Sequence, residues 1–366
     1  MNALTYYSIS MGCDPEFFFS KDGKIVGSEK LIPKEGKVLF NKGDSTMGTH
    51  ALTSDSVAGK IIIDGVQAEL NPRPHSCRAT LGNEIAWCFR KIKNELLKDG
   101  NTIDFSQAVE VSKEEMDSLS ASSKRFGCSP SHNAYAEDGN SKITVNPLVY
   151  RTRAAGGHIH LGPNPSDTLE TQRKIKDALD NHKIIVPILD LIVGNTCVLV
   201  DRNPSNIERR KVYGKAGEYR TPKYGLEYRT LSNFWLTSYP LFGMAFGLAR
   251  LAVNIVANDT EDFSYSKALL EKVRMRDVVK AINENDFDLA LKNFNAIKPL
   301  LIEMVGVGGH HPITTGNIAY FEHFITKPMS YWFKENPLDH WIGLGDGHAG
   351  GFEDFLAKVV SKDMVK

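Results

Sequence analysis

Four short segments carry polar side chains two residues apart, with apolar or aromatic residues at the alternate positions. Asp14 and Glu16 lie in GCDPEFFFS; Gln67, Glu69 and Asn71 in DGVQAELNP; His158 and His160 in GGHIHLG; Glu227 and Arg229 in GLEYRTL. Successive side chains on a strand point to opposite faces, so each polar set shares one face of its strand. Phe17, Phe19, Val66, Ala68, Leu70, Ile159, Leu161 and Tyr228 fall on the other face. The pattern predicts an α+β fold: a curved, mostly antiparallel sheet with a polar concave face and helices packed on its convex face.

Carboxylates gathered on one surface repel, and each takes up a proton unless a cation sits among them. Mg2+ or Mn2+ suits such a surface, since both prefer carboxylate oxygen and accept an imidazole. The companion arginines favour an anionic substrate, because a guanidinium fork pairs with phosphate through two parallel hydrogen bonds. Metal, arginine and carboxylate together are the equipment of phosphoryl transfer. There is no GxxxxGK[ST], and no GxGxxG opens a helix after a strand, so P-loop and Rossmann origins are set aside.

Composition narrows the partners. The 366 residues carry 44 Lys+Arg against 44 Asp+Glu, with 42% hydrophobic residues, which excludes a disordered or supercharged chain. A duplex nucleic acid partner calls for a basic excess that is missing here, so a small-molecule partner is expected. The five cysteines are widely spaced with no CxxC pair, and the N-terminal MNALTYYS has no basic stretch leading into an apolar one. A cytoplasmic protein is therefore expected. Tyr239–Ala257 is apolar but contains Arg250 and Asn254, which favours a buried helix over a membrane span.

Along the chain, CDPEFFFS, KIVGS, KVLF and KIIIDGVQAELNP read as strands, with Lys21-Asp22-Gly23 as a hairpin turn. Leu81, Ile85, Cys88, Phe89, Ile92 and Leu96 share one face of a helix ending near Gly100. A short helix over about 112–120 follows within a connection. Another helix runs from Asp167 to about Leu191, bent or broken at Pro187; the stretch 198–225 reads as a loop rich in Arg, Lys and Gly. Residues 1–261 are expected to form a catalytic domain and 262–366 a helical C-terminal extension packed on it.

Taken in order, GCDPEFFF, GGHIHLG and GLEYR resemble the metal-binding strands of glutamine synthetase. The larger set, with DGVQAELNPRP, RRKVYGKAGEYR and GLEYRTLSNFW, resembles the carboxylate-amine ligases of the glutamate-cysteine ligase and amidoligase group, in particular the phage phiEco32-like COOH-NH2 ligases. The resemblance spans about residues 8–260 and implies a glutamine synthetase-like fold. It also implies ATP-dependent amide formation through an acyl phosphate, with two or more Mg2+ or Mn2+ ions. Asp14, Glu16 and Glu69 would be metal ligands, and His158 and Glu227 would complete the metal site nearest the ATP phosphates. His160 and Arg229 would contact phosphate, and Arg209, Arg210 and Arg220 would hold the γ-phosphate or act in transfer. The substrates would be small-molecule or peptide carboxylates and amines, in the host cytoplasm for a phage-encoded chain; the oligomeric state stays open. Asp14 stands where glutamine synthetase has glutamate, shortening the reach by one methylene.

Asp64 and Asn71 flank Glu69 as candidate supporting or substrate residues, and Arg73 and His75 on NPRPH are candidates for a carboxylate substrate. His310, His311 and His348 lie in Gly-rich stretches that read as turns, and none of the cysteines has a nucleophile's electropositive setting. Two other classes accommodate the same residues: a metal-dependent hydrolase and a non-catalytic nucleotide-binding relative.

Overall fold

Asp22 and Gly23 both adopt positive φ, 51° and 73°, the backbone of a tight two-residue hairpin turn. The computed structural model describes residues 8–33, 37–41, 57–125, 131–143, 145–146, 149–259, 261–307 and 336–343. Its strands are β1 (Ile9–Cys13), β2 (Glu16–Lys21), β3 (Lys24–Val26), β4 (Lys37–Asn41), β5 (Val57–Asp64), β6 (Gln67–Pro72) and β7 (Asn101–Asp104). They continue with β8 (Ala108–Glu110), β9 (His132–Asn133), β10 (Thr152–Ala154), β11 (Ile159–Pro163), β12 (Glu218–Arg220) and β13 (Leu226–Tyr228). All the described pairings are antiparallel.

One sheet runs β1-β11-β13-β12-β9 and another β3-β2-β6-β5-β4, with β7 also on β2. They meet where β1 passes through Asp14 and Pro15 into β2. Met11 exchanges backbone hydrogen bonds with His75 at 2.9 and 2.8 Å, and Leu70 N–H donates to Pro15 O at 2.9 Å. On the other side Glu16 N–H donates to Gly156 O at 2.9 Å. The segment 11–16 is thus bonded on one side to the β6 chain and on the other to the approach to β11. All four polar segments lie on neighbouring antiparallel strands or their immediate ends.

The opposite parity forms the core. Met11, Phe17, Ala68, Leu70, Ile159, Leu161, Leu226 and Tyr228 have no solvent exposure. Helix Arg78–Glu95 packs on β5 and β6, Leu169–Asp180 on β11, and Tyr239–Asn258 on β1. The last is long and apolar enough to cross a membrane, but its apolar stretch is entirely buried inside the protein, as in a core helix. Leu269, Val278, Ile282, Ala290, Phe294 and Trp341, from the C-terminal helices, belong to the same apolar cluster.

Several expectations change. The run 60–72 is two strands, because Gly65 at φ 69° turns the chain and puts Asp64 opposite Gln67. The helix expected over 167–191 breaks at Asn181 (ψ 70°) rather than at Pro187, and a π-helical turn, Asp190–Gly194, follows. Thr168 caps its start, accepting from Thr171 N–H. Within the expected loop 198–225, Ser205–Val212 is helical and Glu218–Arg220 is β12. His310, His311 and His348 lie outside the described residues.

The glycines before the HxH strand make close approaches. A Cβ on Gly157 would sit 2.4 Å from both Ser232 O and Trp235 Nε1 and 3.0 Å from Asn233 Cα. Gly157→Ala is therefore expected to lower stability by about 2–3 kcal/mol through backbone displacement, measurable by urea denaturation.

Candidate active site

Strand register assembles the polar residues. Glu16 on β2 pairs with Glu69 on β6, and Asp64 stands at the hairpin end of β5. His160 on β11 pairs with Glu227 on β13, which pairs with Arg220 on β12. Asp14, His158 and Arg229 occupy the residues just beyond their strands.

Two groups result. Ligand atoms of Asp14, His160 and Glu227 lie within 4.8 Å of one another, as do those of Glu16, Asp64 and Glu69. His158 Nδ1 lies 3.0 Å from Asp14 Oδ1 and 3.6 Å from Glu227 Oε1, and His160 Nε2 is 3.3 Å from Asp14 Oδ2. Arg229 Nη1 contacts Glu227 Oε1, and Arg220 Nη1 lies 3.6 Å from the same oxygen. Asp14 Oδ1, both ring nitrogens of His158 and Nε2 of His160 are buried without a hydrogen-bond partner. An orphaned carboxylate oxygen with His158 Nδ1 and His160 Nε2 directed at Asp14 fits a divalent cation, which would engage one nitrogen of an imidazole.

The protonation states follow from the surroundings. Burial pushes Glu16 up to about 8, with Asp64 adding to the rise, and burial with the Asp14 charge pushes Asp64 up to about 6. Glu69 is raised well above its ordinary value by burial and by Asp14 and Asp64. Burial alone would raise Asp14 too, but the imidazoles of His158 and His160 reverse this and hold it well below the carboxylate range. The two histidines diverge: burial and Arg229 press His158 down to about 4, whereas at His160 the Asp14 charge overcomes burial and raises it. His158 is thus a neutral imidazole suited to a metal, and His160 is biased toward a cation suited to an anion.

Two participants, Tyr213 and Tyr224, escape the sequence reading. Tyr213 O–H donates to Glu16 Oε2, which also accepts from Gly156 N–H at 2.8 Å and from Gln67 Nε2 at 3.4 Å. Tyr224 O–H is 2.9 Å from His160 Nδ1, and the two rings stack with centroids 5.5 Å apart. The period of two had marked Gln67, but Tyr213 and Tyr224 lie in a stretch without periodicity. Asn71 Nδ2 donates to Glu69 Oε1 at 2.7 Å, fixing that carboxylate.

The other candidates are not drawn into the cluster. Arg209 is wholly buried and donates to the carbonyls of Thr230 (2.9 Å), Arg229 (3.2 Å) and Leu231. Arg210 lines a separate internal cavity, where burial and Arg209 push it down to about 9. His75 Nε2 lies 3.1 Å from Glu84, and Arg73 is half-buried.

A cleft of about 850 Å³ opens from His160. Ser10, Gly12, Gly162, Lys176, Lys223 and Tyr224 are among the residues that line it.

Residues 147–276 match the family model of the phage phiEco32-like COOH.NH2 ligase-type 2. That agrees with the resemblance drawn from the motifs and supports a carboxylate-amine ligase. The matched stretch holds His158, His160, Arg220, Glu227 and Arg229, while Asp14, Glu16, Asp64 and Glu69 precede it. Among solved structures, a bifunctional glutathione synthetase from Pasteurella multocida is similar, with TM-score 0.47 and 10% identity over 92% of this chain and 48% of that one. The chain therefore spans about half the length of that structure. A structure described as a GmaS/ADP complex is similar with TM-score 0.39 and 12% identity, over 90% of this chain and 71% of that one. No curated protein sequence matches the chain.

Proposed function

We propose that this protein is an ATP-dependent carboxylate-amine ligase of glutamine synthetase-like fold, joining a small-molecule or peptide acid to an amine. The observation that carries the reading is the convergence of two buried carboxylate groups with His158, His160, Arg220 and Arg229 beside a cleft. In the reaction, a carboxylate oxygen of the acid attacks the γ-phosphorus of ATP and ADP departs. The amine nitrogen then attacks the acyl carbon, phosphate leaves, and the nitrogen loses a proton.

Asp14, His158 and Glu227 would hold one divalent cation and Glu16, Asp64 and Glu69 another, as Mg2+ or Mn2+. Bound there, such ions supply charge neutralisation and Lewis acidity for phosphoryl transfer. The chain's own contribution is positional. His160, raised toward its cationic form, and Arg220, with 29% of its side chain exposed, meet the phosphate charge. Arg229, 1% exposed, orients Glu227 from within. The nucleoside would occupy the cleft that opens from His160. We assign residues 1–261 to the catalytic portion and 262–366 to its helical extension.

Incubation with ATP, Mn2+ and pooled acids and amines is expected to release ADP and phosphate in an amine-dependent manner. Glu16→Gln is expected to slow that release by about 100-fold. Wild-type turnover by that variant would remove Glu16 from the site. Product formation without nucleotide would favour a hydrolase, and nucleotide binding without ADP formation a non-catalytic relative.

A further inference from the structure

Arg209 and Arg210 are adjacent in sequence and both turn inward from helix Ser205–Val212. Arg209 spends its donors on three consecutive carbonyls, those of Arg229, Thr230 and Leu231. Its guanidinium also lies 4.9 Å from the Tyr213 ring, whose hydroxyl holds Glu16. Gly214 makes room for it, since a Cβ there would come within 2.2 Å of Nη1. Arg210 lines a cavity that the same segment borders through Thr230, Leu231 and Ser232, together with Asp201 and Asn285.

That cavity is incomplete as it stands. Arg210 Nε and Nη1 are buried without hydrogen-bond partners, and so is the acceptor Asn285 Oδ1. Asp201, which lines the same cavity, already accepts from Gln107 (2.6 Å), Asn206 (2.8 Å) and Ser232 (2.7 Å). A guanidinium cannot stay buried with bare donors. The water-accessible space of about 10 Å³ is enough for roughly one water, which accepts from Arg210 and donates to Asn285. An anion would accept from Arg210 but could not donate to Asn285, and it would meet the Asp201 carboxylate that lines the same space.

We infer that Arg209 and Arg210 are an internal clamp on residues 229–232, acting as positioning residues for Arg229 and Glu227, and that Arg220 is the arginine of this stretch that meets the phosphate. The inference rests on the ligase reading only for Arg220. The clamp makes a claim about the protein without ligand: Arg209 is 0% and Arg210 8% exposed, so both guanidinia are held away from solvent.

Phenylglyoxal labelling of the native wild-type protein, mapped by peptide mass spectrometry with and without ADP and Mg2+, tests it directly. Arg220 is expected to label and to be protected by nucleotide, whereas Arg209 and Arg210 stay unlabelled in both conditions. Labelling of Arg209 or Arg210 at a rate comparable to Arg220 overturns the clamp. Kinetics add a second readout: Arg210→Met is expected to lower kcat about tenfold while the ADP dissociation constant stays within twofold, and Arg220→Gln to raise that constant at least tenfold. A tenfold weaker ADP affinity in Arg210→Met overturns the clamp. If that variant does not fold, wild-type labelling decides. Should the wild type bind no nucleotide, the ligase reading and the Arg220 assignment fail, while labelling in the ligand-free protein still tests the clamp.

Discussion

Glu227→Gln is expected to reduce ADP release by about a thousandfold and to lower the thermal midpoint by several degrees. Gln keeps the shape of the side chain and removes its charge. One oxygen of Glu227 receives Arg229 Nη1 and lies 3.6 Å from both Arg220 and His158. Arg229 is 1% exposed, so removing the Glu227 charge takes an ion-pair partner from a buried cation, which costs about 1–3 kcal/mol. The same carboxylate is one of the oxygens placed to hold a cation between His158 and the arginines, so stability and turnover fall together. Glu227→Asp separates the two effects. It restores the charge one methylene short, and it is expected to recover more of the thermal midpoint than of the rate. Calorimetry and a coupled ADP assay on the three proteins check this, and an unimpaired rate in Glu227→Gln would remove Glu227 from the reaction.

The sequence exposes one half of this site and hides the other for a physical reason. Strand parity is local, so a period of two reveals that Asp14 and Glu16, Gln67 and Glu69, His158 and His160 share faces; apolar partners such as Phe17, Leu70 and Ile159 then orient those faces against the core. Register and turns are less visible. Asp64 joins Glu16 and Glu69 only because Gly65 reverses a run that scans as one continuous strand. Tyr213 reaches Glu16 across 197 residues, a contact without local signature. Helix Ser205–Val212 buries Asn206, Arg209 and Arg210 along with Val212, so its inward face is mostly polar and apolar periodicity cannot find it. The loop reading of that stretch follows from assuming that charged residues face water. Here three backbone carbonyls replace the water for Arg209.

Divalent cation binding is expected to release protons, about one per protein or more at pH 7, and to stabilise the protein more at pH 8 than at pH 6. Glu16 is pushed up to about 8 and Asp64 to about 6, both chiefly by burial, against ordinary values of 4.5 and 3.8. With the folded pKa above the unfolded one, the folded chain binds more protons across the interval between them. Metal-free stability is therefore highest below about pH 4 as far as these groups are concerned, and it declines as pH rises through the folded values toward 8. A cation reverses the trend, because it takes the place of protons that bring the carboxylates together. At pH 7 Glu16 is largely protonated without metal, so binding must expel that proton. Titration calorimetry with Mn2+ in two buffers of different ionisation enthalpy counts the protons. Thermal melts in chelator and in Mn2+ should diverge with rising pH, by several degrees more at pH 8 than at pH 6. Glu16→Gln, which cannot ionise, is expected to lose most of both the proton release and the pH-dependent gain. A buffer-independent heat in the wild type would mean that Glu16 and Asp64 are not displaced by the ion, and the cluster would then have to be a structural one held together by its own protons.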